Sequence, residues 1–306
     1  MADSPGENNQ NKASASDKAG AGRDEVERAA LRDSLGHFSS EISWGEMLGL
    51  IFSKSWILAK QYYRPVFYIA FVQTLFIRLA MYFFPIPAEN IQASSDAALL
   101  DHMSPGLLLN LFLFAVLVLW VGTVGNALIQ IFFVASGQSG FEKNIGREKN
   151  NPAPISFLEL WGYLKNKLIF ILLGCLFYYF LMSIGMALYF LPAVLLGSAF
   201  FLYLPIILFE NKTPLAALKR SWELTKLKYG VMVCLFIATS LLYLMPQLAI
   251  EALADQGLIS VGLSNVLMIF AASLILPLCN AITLVTYSYQ RLFLQMRSDP
   301  KILKDF

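Results

Sequence analysis

Of the polar side chains that interrupt the long apolar stretches of this sequence, four are its first candidates for chemistry. They are Arg78, Asn126, Gln130 and Asn280. If those stretches cross a membrane, an arginine there either binds an anionic phosphate or extends its long side chain to the headgroups. Asn126 and Gln130 stand one helical turn apart, and amides on one face either hold helices together or line a path for a solute. We treat the four residues as a candidate intramembrane polar site.

A second group of candidates lies on a short basic segment that begins at Thr213-Pro214. Its candidate lipid-headgroup contacts are Lys219, Arg220, Trp222, Lys226 and Lys228. A helix here would place Leu215, Leu218 and Trp222 on one face and the charged residues on the others. A basic amphipathic helix that carries tryptophan is typical of a membrane surface. Such a helix either contacts anionic lipid as its function or only anchors the ends of the spans.

The residue types that most enzymes need are missing from the apolar stretches. These stretches contain no Asp, Glu or His, and the chain has no HExxH, GxSxG or P-loop pattern. Glu210 marks the end of one stretch, where we expect it to close the span. Cys175, Cys234 and Cys279 form no CxxC or Cys/His grouping. We therefore expect no catalytic residue, no metal site and no cofactor, and we interpret the protein as a non-enzyme.

The composition and the lengths of the apolar stretches predict an all-α polytopic membrane protein. The chain is 57% hydrophobic and only 14% charged, whereas soluble domains carry about 25% charged residues. About 20 apolar residues cross a bilayer as a helix. Residues 168–209 hold no charge, so they should cross twice, with a turn near 189–192. The six predicted spans are about 65–84, 106–135, 168–189, 191–209, 229–250 and 263–290.

The placement of the cations predicts how these spans are oriented. Of the 23 Lys and Arg residues, only Arg78 lies inside a span, and loops 85–105 and 251–262 contain none. Cations are retained on the cytoplasmic side, so both termini should be cytoplasmic. Residues 1–40 are poor in apolar residues and should be a disordered cytoplasmic tail. The membrane domain should then cover 41–297, with a second cytoplasmic tail at 298–306.

Internal similarity suggests three copies of a unit made of an interfacial helix and a hairpin of two spans. Residues 42–50 (ISWGEMLGL) and 155–163 (ISFLELWGY) open alike, each with a capping box: Ser43 with Glu46, and Ser156 with Glu159. The third copy should begin with Thr213 as its cap. It shares Ser-Trp-x-Leu-x-Lys with the first, since SWILAK at 55–60 recurs as SWELTK at 221–226.

The region 191–226 resembles the signature of the YciC-like family of six-span bacterial inner-membrane proteins. It is also similar to the membrane domain attached to some glycerophosphodiester phosphodiesterases. The likeness rests on a turn at Pro192, an acidic span end at Glu210, and an alanine-leucine helix with Arg220 and Ser221. The resemblance implies a bacterial cytoplasmic-membrane location. It implies no catalytic residues, and no phosphodiesterase domain is recognisable in this chain.

These patterns favour a non-enzymatic protein of the cytoplasmic membrane that serves envelope integrity or lipid organisation. The alternative is a transporter or permease subunit for a small or lipid-like substrate, suggested by the repeats and the intramembrane arginine. Expected partners are membrane lipids, and other membrane proteins or a second copy of the chain are possible. A net charge of +2 does not favour nucleic acid.

Overall fold

The structure is a computed structural model that describes residues 43–83, 105–137 and 157–298. The described residues belong to two units, one of residues 48–291 and the other of residues 43–47 and 292–298. The contacts reported below lie within the larger unit, apart from one helix cap at Ser43. The predicted tail over 1–40 and residues 299–306 of the second predicted tail lie outside the described residues, so the predicted domain boundaries stay a prediction.

In the described part of the chain, all regular secondary structure is helical. We number the α-helices in chain order. Their bounds are α1 Trp44–Gln61, α2 Tyr63–Phe83, α3 Pro105–Gly137, α4 Phe157–Lys165, α5 Leu168–Ala187, α6 Phe190–Ala199, α7 Tyr203–Glu210, α8 Pro214–Thr225, α9 Tyr229–Asp255 and α10 Val261–Ser298. A 3-10 turn, Lys226–Lys228, joins α8 to α9.

Six of the described helical segments are long and apolar enough to cross a membrane, which confirms the predicted fold class. Spans one, two and three are formed by α2, α3 and α5. Spans five and six are formed by α9 and α10, and span four consists of two shorter helices, α6 and α7. Helix α3 has 33 residues, which is about 50 Å at 1.5 Å per residue and exceeds the thickness of a bilayer core. Span two therefore tilts or extends beyond the bilayer.

Spans three and four form a tight hairpin. Helix α5 ends at Ala187 and α6 begins at Phe190, so the turn lies at residues 188 and 189. Tyr189 has a φ of 118°, a conformation that side chains other than glycine rarely adopt. Near the turn, Gly185 packs directly on the next helix, since a Cβ on it would lie 2.7 Å from Cα of Ala193. The close packing of the hairpin thus requires glycine at position 185, and the backbone at Tyr189 is strained.

Two of the predicted helix starts can be compared with the structure. The amide of Ser43 donates to the Glu46 carboxylate (3.0 Å) and the amide of Glu46 donates to the Ser43 hydroxyl (3.3 Å), which is the predicted capping box. The corresponding pair at Ser156 and Glu159 cannot be compared, because Ser156 and the Glu159 side chain lie outside the described part. Thr213 precedes α8 with extended geometry but its side chain makes no capping hydrogen bond. Thr213 is therefore the N-cap residue and Pro214 the first helical residue, as predicted, but the expected capping hydrogen bond of the Thr213 side chain is absent.

Candidate functional site: helix α8 docked on the break in span four

Span four is interrupted near its middle, and α8 fills the interruption. Helix α6 ends at Ala199 and α7 begins at Tyr203. The Ser221 hydroxyl of α8 donates to the Ala199 carbonyl (3.0 Å) and accepts the Leu202 amide (3.2 Å). The Thr225 hydroxyl donates to the same carbonyl (3.1 Å). Backbone groups freed at a break in a membrane helix need such partners, because lipid offers none.

The face of α8 that packs on the bundle was predicted only in part. Ser221 and Thr225 are fully buried, as are Ala217 and Leu224. The two hydroxyl groups, one helical turn apart, are a signal in the sequence that could have indicated this face, but the prediction considered only the apolar residues and the cations of α8. Small residues on this face bring α8 close enough for its hydroxyls to reach the backbone of span four. Because the backbone at the break needs hydrogen-bond partners, this face of α8 has hydroxyl residues at positions where an ordinary amphipathic helix would have leucines.

The opposite face of α8 carries apolar and cationic side chains together. Leu215 is 63% exposed and Trp222 is 47% exposed, and Lys219 and Lys226 are exposed beside them. At 100° per residue these four point in nearly one direction, and we call them the exposed stripe. The predicted apolar face of Leu215, Leu218 and Trp222 was therefore wrong, because Leu218 is buried in the bundle while the other two face away from it.

Arg220 and Lys228, which were grouped with the stripe as headgroup contacts, are placed differently. Nε of Arg220 lies 3.4 Å from a carboxylate oxygen of Glu210, an ion pair without hydrogen-bond geometry, and Nη1 lies 3.3 Å from Glu223. The other Glu210 oxygen accepts the Tyr287 hydroxyl of span six at 3.1 Å. Arg220 thus joins α8 to the end of span four. Lys228 is partly buried in the 3-10 turn.

The Ser, Trp and Lys of the repeated Ser-Trp-x-Leu-x-Lys motif have similar exposure in both copies, whereas Leu58 is partly exposed and Leu224 is buried. Ser55 in α1 is fully buried, as Ser221 is in α8, and Trp56 is 61% exposed. Lys60 is exposed, like Lys226. The two serines differ in their bonding, since the Ser55 hydroxyl donates only to the Ile51 carbonyl of its own helix at 2.6 Å. Both copies of the motif therefore expose the Trp and the Lys, but only the serine in α8 binds the backbone at a helix break.

Three of the four predicted intramembrane polar residues lie together between spans two and six. The side-chain amide of Asn280 donates to the Asn126 oxygen (3.0 Å), and the Gln130 amide donates to the Asn280 oxygen (3.1 Å). Gln130 and Asn280 are buried. The oxygen of Gln130 has no hydrogen-bond partner among the described residues. These contacts make the group an interhelical amide cluster, the arrangement that holds helices together in lipid.

Arg78 does not join this amide cluster. Its guanidinium lies 2.9 Å from the sulfur of Met268 on span six. The stretch of α10 from Met268 to Asn280 corresponds to about 18 Å of helix rise. The four residues therefore occupy two places in the bundle. Nearer to Arg78, the hydroxyls of Thr74 and Ser273 lie 2.8 Å apart and connect spans one and six.

Residues 43–83, 105–137 and 157–298 contain no set of three or more His, Cys, Asp or Glu side chains that could hold a metal ion. The three cysteines are free, and they lie in separate helices. The groups that α8 carries are buried hydroxyls, exposed cations and the ring of Trp222.

The helices and their exposure define a multi-pass α-helical integral membrane protein. Comparisons with protein-family models, with curated proteins and with solved structures found no match to this chain. The resemblance to the YciC-like family stays a prediction from sequence.

Proposed function

We propose that the protein is a non-enzymatic component of the bacterial cytoplasmic membrane that organises anionic lipids of the inner leaflet and thereby supports envelope integrity. Contact with lipid headgroups would be made through the exposed stripe of α8. The equivalent Trp56 and Lys60 of α1 would extend the same contact to a second helix. The resemblance to the YciC-like family agrees with this location.

The observation that carries the proposal is the composition of the exposed stripe. Trp222 and Leu215 are large apolar residues that gain nothing from facing water, while Lys219 and Lys226 between them cannot enter hydrocarbon without cost. The one environment that favours both is the headgroup region, where the rings lie at the acyl boundary and the cations meet anionic phosphates. Ser221 and Thr225 hold the stripe in a defined orientation by binding the bundle on the other side.

The proposal can be tested by removing the two charges from the stripe. In Lys219→Gln/Lys226→Gln we expect the preference for phosphatidylglycerol over phosphatidylcholine to fall. Each lysine near the surface contributes about 1 kcal/mol, so the loss should approach roughly 30-fold at low salt. The measurement is native mass spectrometry of the lipids retained after exchange in equimolar mixed micelles. Cells producing this variant should also become sensitive to detergent.

A charge-retaining variant is the matched control. Lys219→Arg/Lys226→Arg keeps both cations and should retain lipid preference and detergent resistance. The reasoning fails if the glutamine variant keeps its preference for the anionic lipid, or if the arginine variant loses it to the same extent. Arg220 is left unchanged in both, because its ion pair with Glu210 contributes to the bundle.

The proposed orientation, with both termini in the cytoplasm, has its own test. A single cysteine at Lys212 should be protected from a membrane-impermeant maleimide added to intact cells, and one at Gln256 should be labelled. Both positions are exposed in the structure. The three native cysteines, of which Cys234 is exposed, must first be replaced by alanine. Labelling at 212 from outside would contradict the orientation.

Transport stays the alternative from sequence analysis. Broken helices form substrate sites in many secondary transporters, where free backbone groups at the break bind the solute. Here the Ala199 carbonyl and the Leu202 amide are bound by Ser221 and Thr225, which favours a structural break. Flux into liposomes that is lost in Arg78→Ala or Asn126→Ala would support transport instead.

A further inference from the structure

A pocket lies beside the start of span three and the end of span four, apart from the exposed stripe. Its volume is about 530 Å³, which is within the range of small-molecule sites. Phe170 and Ile207 contribute apolar lining. The polar lining comes from Tyr163, Asn166, Lys167 and Asn211, and no acidic residue contributes to it.

Lys167 is the only charged residue of this lining, and it has no counter-ion in the described part of the chain. Its ammonium donates to the Tyr163 hydroxyl at 2.7 Å and to the Leu208 carbonyl. An ammonium has three donors, so one is left for a ligand. Partial burial without a carboxylate lowers the pKa of Lys167 to about 8. The pocket therefore holds a cation that an anion would stabilise.

The start of α5 beside Lys167 can supply backbone donors to a ligand. Lys167 is the N-cap residue of α5, and no side chain caps this helix start. The first amides of a helix have no partner within the helix and favour anions. On the other wall, Asn211 ends α7 in a left-handed conformation with φ of 52°. Its side-chain amide and that of Asn166 can each donate to an oxygen of a ligand.

We infer that this pocket binds a phosphate group through Lys167, Asn166, Asn211 and the start of α5. A phosphate has enough oxygens to accept from an ammonium, two side-chain amides and backbone amides at once. The phosphate belongs either to a lipid headgroup or to a small water-soluble molecule. The volume leaves space beside it for part of an organic group, against Phe170 and Ile207.

The test uses the purified full-length protein and two variants of the pocket. Lys167→Met removes the cation and keeps much of the side-chain volume. Asn166→Asp adds a negative charge at an exposed position, where it should not disturb folding. Lys165→Met is the matched control, because Lys165 is an exposed cation two residues away and outside the lining. Each protein is titrated with inorganic phosphate against chloride at equal ionic strength, with calorimetry as the readout.

The second arm places the same proteins in nanodiscs of phosphatidylcholine with or without phosphatidic acid and counts bound phosphatidic acid by native mass spectrometry. We expect at least tenfold weaker binding in Lys167→Met and in Asn166→Asp, and unchanged binding in Lys165→Met. If the pocket variants bind inorganic phosphate more weakly in the first arm, the ligand is a soluble phosphate. If they lose only phosphatidic acid in the second arm, the ligand is a lipid headgroup. The inference is overturned if neither variant weakens binding in either arm, or if Lys165→Met weakens it equally. All proteins of the second arm also carry Lys219→Gln/Lys226→Gln, so that phosphatidic acid bound at the exposed stripe is not counted. A loss caused by Lys167→Met in that background belongs to the pocket, which separates this test from that of the exposed stripe.

Discussion

The docking of α8 on span four makes a quantitative prediction about Ser221 and Thr225. In Ser221→Ala the Leu202 amide loses its partner, while the Ala199 carbonyl keeps Thr225. Thr225→Val has nearly the same shape as the native residue and removes the second donor to that carbonyl, together with a bond to the Trp222 carbonyl of its own helix (3.2 Å). The double variant leaves both backbone groups at the break without these side-chain partners.

The expected cost follows from the kind of group that is left unpaired. A buried backbone amide without a partner costs about 1–3 kcal/mol, and we expect this loss for Ser221→Ala. Thr225→Val alone should cost less, because Ser221 still donates to the carbonyl. The double variant should cost more than the sum of the two, because only there does the carbonyl lose its last side-chain donor. Ordinary side-chain bonds between membrane helices contribute about 0.6 kcal/mol on average, so the predicted effect is distinguishable.

The assay is the free energy of unfolding in mixed micelles, measured by titration with sodium dodecyl sulfate and followed by circular dichroism. Ser55→Ala is the matched control, since Ser55 is equally buried and occupies the same position in the repeated motif. Its hydroxyl donates to a carbonyl of its own helix, so removing it leaves no amide unpaired and should be close to neutral. If Ser221→Ala destabilised the protein no more than Ser55→Ala, the account of the break would be wrong.

Three further predictions concern the hairpin and the pocket. Gly185→Ala should destabilise the protein by about 1–3 kcal/mol in the same titration, because the new Cβ would meet backbone atoms of Ala193, which cannot rotate away. Gly49→Ala, with open space at its Cβ position, should be neutral or slightly stabilising, and equal effects at the two glycines would refute the close approach. Tyr189→Gly should stabilise by about 1 kcal/mol, because it relieves the positive φ at a side chain that is 84% exposed, and an unchanged unfolding midpoint would contradict the strain. Phosphate binding should weaken as pH rises through about 8, since Lys167 then loses its charge, and calorimetry between pH 7 and 9 that shows constant affinity would count against this role.

The fold class followed from sequence because each span is a local property. A run of about 20 apolar residues forms a helix in a bilayer whatever its neighbours are. The turn near Tyr189 was located from the length of the uncharged run 168–209 in the same way. The cap at Ser43 was also local, since it joins residues three apart. Predictions of this kind depend only on residues that are close to one another along the chain, and the sequence is sufficient for them.

The candidate site was predicted less completely, because it depends on contacts between distant segments. The sequence singled out the amides at 126, 130 and 280, but it could not separate Arg78 from them, since that requires the relative positions of spans one, two and six. It also grouped Arg220 with the cations of the stripe. The ion pair with Glu210 on the neighbouring span distinguishes Arg220 from them.

The sequence by itself determined the spans and the placement of cations, because hydrophobicity and charge are properties of short stretches of the chain. Only the tertiary structure decided which face of α8 is bound, since that depends on the break in span four and on the hydroxyls of Ser221 and Thr225 that reach it. It also decided the environment of Lys167, which in sequence is one more cation beside a span. Burial against the end of α7, without a carboxylate to balance it among the described residues, makes that cation a candidate for binding an anion.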